Sequence, residues 1–304
     1  MADIIALGEP MAEFAEETDG RFHQRVAGDT MNAAVSAARQ GASVGYMTAL
    51  GSDRFGDRII EKLSEEGVDT TGVMRNLSAP TGLYFITYGP DGHEFSYYRH
   101  GSAASLMRAD EVNAEVLQTC RIFHVSGISQ AISTTARDTV LAAMTLVQEA
   151  GGLVSYDTNL RLKLWELETA RDTIHNALTL ADVALPGLDD AEQLTGKSDP
   201  DAIADFYLGL GPRIVALTMG KDGVLVATPD RRERIPTFPV DAIDASGAGD
   251  CFDGAFLAEF LATDDPFRAA RYAAAAAALS TQGHGALDPI PKRSTVEKFL
   301  KERG

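Results

Sequence analysis

The segment DASGAGD, residues 244–250, places Gly247, Ala248 and Gly249 between two carboxylates, and an eleven-residue helix pattern follows it. Backbone N–H groups in the first turn of a helix have no intrahelical partner and lie at the positive end of the helix dipole. Small residues let an anion approach those groups, so the segment predicts a phosphate-binding helix start. A carboxylate at Asp250 would repel a phosphate, unless it takes a proton from the group that attacks it. A glycine-rich turn is the alternative interpretation.

Upstream of this segment, short apolar runs alternate with amphipathic stretches. The runs IIALG, RIFHVSG, GLVSYDTN and RIVALTMG are typical of buried strands, and helices are predicted at 31–40, 53–66, 134–150 and 166–180. Asp53 and Gly67 are expected to cap and end the second of these helices. Strands separated by helices predict an α/β fold, with a parallel sheet that is covered by helices on both faces.

The stretch TGLYFITYGPDGHEFSYYR, residues 81–99, interrupts this alternation with two aromatic-rich strand patterns around GPDG. We expect a small β-sheet lid formed by about 12–26 and 79–102. An isolated hairpin is marginally stable in water, and its aromatic face needs cover. The lid is therefore predicted to pack against the lid of a second subunit in a homo-oligomer.

Composition narrows the class of protein. The 304 residues include 44 acidic and 27 basic side chains, a net charge of −17 without a basic stripe, which argues against a nucleic-acid partner. Two cysteines and the lack of a signal-peptide pattern favour a cytoplasmic protein. The longest apolar run, 273–279, is too short to span a membrane. We expect one domain over 1–304 and no membrane partner.

Four separated motifs resemble the ribokinase-like (pfkB) carbohydrate kinases, in that family's order. DASGAGD resembles the D-T-x-G-A-G-D signature, AGDTMNAAVSAARQG the sugar-binding region, GSDRFGDRIIEKLSEEGVDT an early helix, and ALTMGKDGVLV a nucleotide-site turn. Within the family, GLYFITY, SYYRHGSAAS and DTNLRLKLW look most like 2-keto-3-deoxygluconate kinases. The resemblance implies a three-layer α/β/α sandwich with a mostly parallel central sheet and a small β-sheet lid.

The resemblance also implies roles for residues on the nucleotide side. Asp250 becomes the general base, and Gly247, Ala248 and Gly249 become an anion hole for the transferred phosphoryl group. Gly247 and Gly249 would also contact ATP. The remaining ATP-binding residues would be Thr218, Gly220 and Gly223, although a plain hairpin turn is the alternative at these three. Ala245 stands where the family has threonine.

On the sugar side, the resemblance implies binding by Gly28, Asp29 and Asn32, with Ala27 in place of the family's first glycine. A helix cap by Asp29 or Thr30 is the alternative. Further implied contacts come from Tyr84, Tyr97, Arg99 and Arg161. Aromatic side chains along a strand more often belong to the hydrophobic core than to a binding site. Residues 97 and 99, however, share a strand face, and a guanidinium needs an anionic partner. Two arginines favour an acidic sugar.

The implied cofactors are ATP and Mg²⁺. The segment PGLDDAEQLTG aligns with a family motif in which Asp190 would hold Mg²⁺ through water, whereas an acidic helix start explains it nearly as well. STQGHGAL, residues 280–287, matches a loop with a monovalent-cation site, such as K⁺. The resemblance therefore predicts ATP-dependent phosphorylation of 2-keto-3-deoxygluconate at its terminal (C6) hydroxyl. Alternatives are another sugar kinase, acting on fructose, ribose or a galactonate epimer, and a non-catalytic sugar-binding regulator.

Overall fold

The structure is a computed structural model that describes residues 2–17, 19–89 and 92–303. Within those residues the strands are β1 (Ile4–Leu7), β2 (Met11–Glu16), β3 (Phe22–Ala27), β4 (Val44–Gly51), β5 (Val73–Asn76), β6 (Leu83–Gly89), β7 (Gly92–Tyr98), β8 (Ile122–Ser126), β9 (Leu153–Asp157), β10 (Val183–Ala184), β11 (Ile214–Thr218), β12 (Val224–Ala227) and β13 (Arg232–Ile235). The helices are α1 (Asp29–Arg39), α2 (Arg54–Glu65), α3 (Ala114–Thr119), α4 (Gly127–Ala131), α5 (Thr134–Glu149), α6 (Leu167–Leu178), α7 (Leu188–Thr195), α8 (Pro200–Leu210), α9 (Ala248–Thr263), α10 (Pro266–Ser280) and α11 (Arg293–Lys301).

Nine of the described strands form the central sheet, in the order β13-β12-β11-β10-β9-β8-β1-β4-β5. The pairs from β11 to β5 are parallel, as the alternation of strands and helices predicts. At the other edge β12 and β13 are antiparallel. The β11–β12 pair agrees with the hairpin alternative for the turn at Thr218, Gly220 and Gly223, whereas β13 was not predicted. A short turn joins β11 to β12, and strands joined so closely can only pair antiparallel.

The central sheet is covered on both faces. Neighbouring residues of β1 show the division, because Ile4 packs into one apolar core and Ile5 into the other. The first core is completed by α1, α2, α9, α10 and α11, and the second by α3 and α5 to α8. All residues of β1 and β4 are buried, as expected for strands inside a parallel sheet. The predicted three-layer α/β/α sandwich is confirmed.

The second sheet has the order β3-β2-β6-β7 and forms the predicted lid. Strands β2 and β6 are parallel, whereas β2–β3 and β6–β7 are antiparallel. Within the predicted GPDG turn, residues 90 and 91 lie outside the described residues. On one face, the Phe85 ring centroid lies 5.1 Å from Phe14, 5.3 Å from Phe22 and 5.8 Å from Tyr98. The lid therefore has an aromatic face.

Helix starts and strand ends position the site. Asp53 caps α2 as predicted, because its carboxylate accepts hydrogen bonds from the N–H groups of Phe55 and Gly56. The parallel strands β1, β8 and β9 end at one edge of the central sheet, where α/β proteins usually bind ligands. Among the described residues no helix is long and apolar enough to cross a membrane.

Candidate active site

A cleft of about 1640 Å³ lies between the lid and the strand-end edge of the central sheet. It brings together most of the residues that the sequence analysis singled out. The predicted site residues that line it are Gly28, Asp29, Asn32, Tyr84, Tyr97, Arg99, Arg161, Gly247 and Asp250. Ala248 and Gly249 continue the first turn of α9 beside it. The other four predicted residues, Asp190, Thr218, Gly220 and Gly223, do not line this cleft.

The start of α9 is built around Gly247. Its φ of 69° lies in the left-handed region, and an added methyl group would lie 2.6 Å from Cβ of Ala286, so only glycine fits. The Ala248 N–H donates to the Ala245 carbonyl at 3.2 Å. The Gly249 N–H has no acceptor among the described residues, and a methyl group on Gly249 would have no other atom within 4 Å. The predicted anion site therefore has an open amide at Gly249.

Asp250 lies in the first turn of α9, and α1 holds it from behind. Nδ2 of Asn32 donates to Oδ2 of Asp250 at 2.8 Å, and Ser36 Oγ donates to the Cys251 carbonyl at 2.7 Å. Burial, assisted by the negative charge of Asp29, raises the pKa of Asp250 from 3.8 to about 7. A carboxylate with this pKa is well suited to accept a proton from an alcohol near neutral pH.

Asp29 is fixed by partners from two strand ends. Its Oδ2 accepts hydrogen bonds from Ser126 Oγ and from Asn159 Nδ2, the latter at 3.0 Å. No side chain caps α1, and Thr30 instead shares a hydrogen bond with the Tyr46 hydroxyl at 2.8 Å. The alternative in which Asp29 or Thr30 caps this helix is therefore wrong. The carboxylate of Asp29 is held at the cleft instead.

Gly28 precedes α1 and lies against the end of β1. A methyl group on Gly28 would lie 2.8 Å from the Glu9 carbonyl oxygen, closer than real contacts allow. Glycine is thus required at this position by close packing against the Glu9 backbone. The approach of a sugar to the Gly28 backbone stays a prediction.

The two arginines predicted to bind an acidic sugar differ in their surroundings. Nε of Arg99 donates to Glu9 Oε2 at 2.6 Å, and Glu9 is buried and also accepts from the Ser102 hydroxyl. Arg161 donates to its neighbour's carbonyl, lies 4.0 Å from Asp190, and leaves 52% of its side chain exposed. The protein itself thus supplies an anionic partner for Arg99, whereas Arg161 is open to the cleft.

Two tyrosines of the lid form an aromatic wall of the cleft. The rings of Tyr84 and Tyr97 stack with centroids 5.5 Å apart, and the Tyr84 hydroxyl donates to Glu13. Burial and the Glu13 charge raise the pKa of Tyr84. Tyr97 and Arg99 lie on the same strand face, as predicted, with the guanidinium carbon 5.8 Å from the ring centroid. Their role in sugar binding stays a prediction.

Asp190, at the start of α7, supports the turn that follows β9. Its Oδ2 accepts a hydrogen bond from the Leu160 N–H at 2.9 Å, and burial raises its pKa. No group of three or more histidine, cysteine, aspartate or glutamate side chains in the described part of the chain is arranged to hold a metal ion. Because Oδ2 of Asp190 accepts the Leu160 N–H, this carboxylate supports the backbone of the site.

Thr218, Gly220 and Gly223 form the turn between β11 and β12. Gly223 has a φ of 88°, and a methyl group there would lie 2.0 Å from the Ile235 carbonyl oxygen. The hairpin interpretation therefore describes this backbone correctly. Contact of these residues with ATP stays a prediction.

Comparison with known proteins identifies the family. The profile of the pfkB family of carbohydrate kinases matches residues 1–293. The chain belongs to this family. The kinase is 33% identical over 308 residues to a 2-dehydro-3-deoxygluconokinase of Bacillus subtilis (strain 168), a match that covers 98% of this chain and 95% of that protein.

Other relatives of this pfkB kinase are named for a different sugar. It is 32% identical over 317 residues to the Arabidopsis thaliana protein called probable fructokinase-4, covering 98% of this chain and 96% of that protein. A structure of fructokinase with bound ATP from Xylella fastidiosa superposes with a TM-score of 0.92 at 28% identity, covering 100% and 99% of the two chains. The family is thus established, and the two sugars are represented at similar identity.

Sequence reasoning did not single out several polar residues that line the kinase cleft, among them Glu9, Glu13 and Asn159, which contact predicted site residues. Glu9 follows β1 and Glu13 lies on a lid strand, and each is buried beside a residue more than 70 positions away. Asn159 is the only one with a local signal, because it occurs in DTN directly after a strand. Its φ of 28° places its amide toward Asp29.

Proposed function

We propose that this pfkB kinase transfers the γ-phosphoryl group of ATP to the C6 hydroxyl of 2-keto-3-deoxygluconate, giving the 6-phosphate. The observation that carries the choice of an acidic sugar is Arg161, a cleft guanidinium with half of its side chain exposed. Guanidinium groups bind carboxylates through paired hydrogen bonds. The identity to a 2-dehydro-3-deoxygluconokinase supports the same choice.

Asp250 is the proposed base. It takes the proton of the C6 hydroxyl as the hydroxyl oxygen attacks the γ-phosphorus, and its pKa of about 7 leaves much of it ionised at neutral pH. Asn32 holds the carboxylate in place through its 2.8 Å hydrogen bond. The start of α9, with the open Gly249 amide, is proposed to receive the phosphoryl oxygens. Positioning and charge stabilisation are the main contributions to phosphoryl transfer.

Mg²⁺ neutralises charge on the phosphates of ATP when it is bound. The water-mediated contact of Asp190 with Mg²⁺ stays a prediction, because the Leu160 amide engages only Oδ2 of its carboxylate. A monovalent cation beside 280–287 stays a prediction.

A fructokinase is the second candidate function. It is favoured by the ion pair of Arg99 with Glu9, which removes one of the two cations expected to face a carboxylate. The identity to a fructokinase-named relative supports it as well. The two candidates differ in whether Arg161 has an anionic partner in the bound sugar.

The test is an ADP-release assay with 2-keto-3-deoxygluconate, its C4 epimer, fructose and ribose. We expect the highest kcat/KM with 2-keto-3-deoxygluconate and a selective loss of that activity in Arg161→Met. Arg213→Met is the matched control, because Arg213 is equally exposed but pairs with Asp182 away from the cleft. A wild-type preference for fructose or ribose, unaffected by Arg161→Met, would overturn the proposal.

A further inference from the structure

Arg25, on lid strand β3, lines the cleft and has no role in the reaction as proposed above. Only 33% of its side chain is exposed. Its Nε is buried and has no hydrogen-bond partner among the described residues. The nearest carboxylate oxygen, Oε1 of Glu13, is 4.0 Å away, and Glu13 already accepts the Tyr84 hydroxyl. A guanidinium has five N–H donors, and none of those of Arg25 has a hydrogen-bond acceptor among the described residues.

The position of Arg25 connects it to the start of α9. Its Nη1 would lie 3.0 Å from a methyl group placed on Gly285. The next residue, Ala286, packs directly against Gly247. Arg25 is thus connected to the start of α9 from the lid side through two consecutive loop residues, since it lies beside Gly285 and Ala286 packs against Gly247. Asp244 anchors the same loop by accepting the Gly285 N–H at 2.8 Å.

The other cleft arginines lie among different neighbours. Arg99 pairs with Glu9, and Arg161 lies beside Leu160 and Asp190, after β9. Arg25 alone of these three packs against the loop that contacts Gly247. Arg25 therefore borders the start of α9 from the side of the 285–286 loop, whereas Arg161, whose charge lowers the pKa of Asp250, approaches it from the turn after β9.

We propose that Arg25 binds the transferred phosphoryl group from the lid side, opposite the helix start. In the reaction the bond between the γ-phosphorus and the β,γ-bridging oxygen breaks, and a bond to the sugar hydroxyl oxygen forms. Asp250 takes the hydroxyl proton, and ADP leaves with the bridging oxygen. Negative charge spreads over the three equatorial oxygens during this step, and the forked guanidinium can donate to two of them. The inference rests on the proposed kinase reaction but not on which sugar is phosphorylated.

The experiment compares wild type, Arg25→Met and Arg25→Lys, using whichever sugar gives the fastest turnover in the screen above. We expect Arg25→Met to lower kcat about 10²-fold, as for removal of one donor to a transition state, with KM values for sugar and ATP within about 3-fold. The affinity of ADP with aluminium fluoride, measured by calorimetry in the presence of sugar, should fall by a similar factor. Arg25→Lys should recover part of both, because it keeps the charge without the fork.

Arg58→Met is the matched control. Arg58 lies on α2 and lines a small pocket of about 150 Å³ together with Arg25, but it does not line the cleft and pairs with Glu61 and Glu65. It should behave as wild type in every assay. Circular dichroism and thermal unfolding identify any variant that fails to fold. If Arg25→Met does not fold, the kcat of Arg25→Lys and its affinity for ADP with aluminium fluoride test the proposal.

Three results would overturn the role of Arg25. They are an unchanged kcat in Arg25→Met, a loss confined to the KM of the sugar, and an equal loss of affinity for ATP and for ADP with aluminium fluoride. A different preferred sugar would contradict the proposed substrate but would leave this comparison intact. The two proposals therefore fail separately.

Discussion

Asp250→Asn separates the proton-accepting role of Asp250 from its shape. The amide is nearly isosteric, and its oxygen can still accept the 2.8 Å hydrogen bond from Asn32. The group that faces the cleft then becomes an NH₂ donor, which cannot take a proton from an alcohol. Loss of a positioned base typically lowers turnover by about 10²-fold to 10⁴-fold, so we expect kcat to fall at least about 10²-fold. ATP affinity should stay the same or rise, because a negative charge near the phosphates is removed.

The same substitution should raise the free energy of unfolding. Burial and Asp29 raise the pKa of Asp250 from 3.8 to about 7, so the wild-type fold loses stability as the pH rises from about 4 to 7. The difference between the two pKa values corresponds to at most about 4 kcal/mol, and water in the cleft reduces it. We therefore expect Asp250→Asn to unfold several degrees higher than wild type at pH 8. The two proteins should converge near pH 4.

Steady-state kinetics and calorimetry from pH 4 to 8 measure both effects. Asp244→Asn is the control of opposite sign, because hydrogen bonds from Ser246 and Gly285 lower the pKa of Asp244. That variant should lose stability at pH 8. In wild type, kcat/KM should rise with pH through about 7. If Asp250→Asn turns over within a few-fold of wild type at saturating substrates, Asp250 is not the base.

Four further changes test the site and the lid. Gly249→Val should lower kcat and ATP affinity without changing the melting temperature, because a methyl group there meets no other atom of the protein within 4 Å. Kinetics, calorimetry and thermal unfolding check this, and a large loss of stability would contradict it. Arg161→Met should raise the KM for 2-keto-3-deoxygluconate by the equivalent of roughly 2 to 4 kcal/mol and leave the KM for fructose unchanged. Arg99→Met should instead lower the free energy of unfolding by roughly 3 to 5 kcal/mol in denaturant titrations, because it leaves Glu9 buried without its cation; an unaltered midpoint would show that the pair is dispensable. Tyr98→Glu, on the exposed aromatic face of the lid, should convert a dimer to monomers in size-exclusion chromatography with light scattering, and a wild-type monomer with full activity would exclude the predicted lid interface.

Much of the fold follows from short-range signals. The carboxylate of Asp53 caps α2 because a cap acts over three residues, and the bounds of α5 agree with the prediction within one residue at its C-terminal end. Strand β13 was not predicted, whereas the hairpin alternative for the turn after β11 implied β12. Arg232–Ile235 is only four residues long, and its assignment depends on pairing with β12.

Site residues could be predicted where they belong to one continuous sequence motif. They could not be predicted where their role depends on contact with a residue far away in the chain. Arg99, the residue that follows β7, illustrates this limit. A buried guanidinium needs an anionic partner, and that rule correctly marked Arg99 as unusual. The partner, however, is Glu9, 90 positions earlier in the chain, and the two side chains meet only in the folded protein. The inference from Arg99 to an acidic sugar therefore loses part of its support, whereas that from Arg161 keeps it.

The basicity of Asp250 has the same long-range origin. Its position in the first turn of α9 follows from seven consecutive residues, but its pKa depends on groups that those residues do not include. Burial and Asp29 raise the pKa, whereas Asn32 and Arg161 lower it. These groups come from α1 and from the turn after β9, so the fold must assemble before the carboxylate acquires its pKa of about 7. A protein with the same seven residues on a more open helix start would bind phosphate but would have a much weaker base, because its carboxylate would keep a pKa near 3.8.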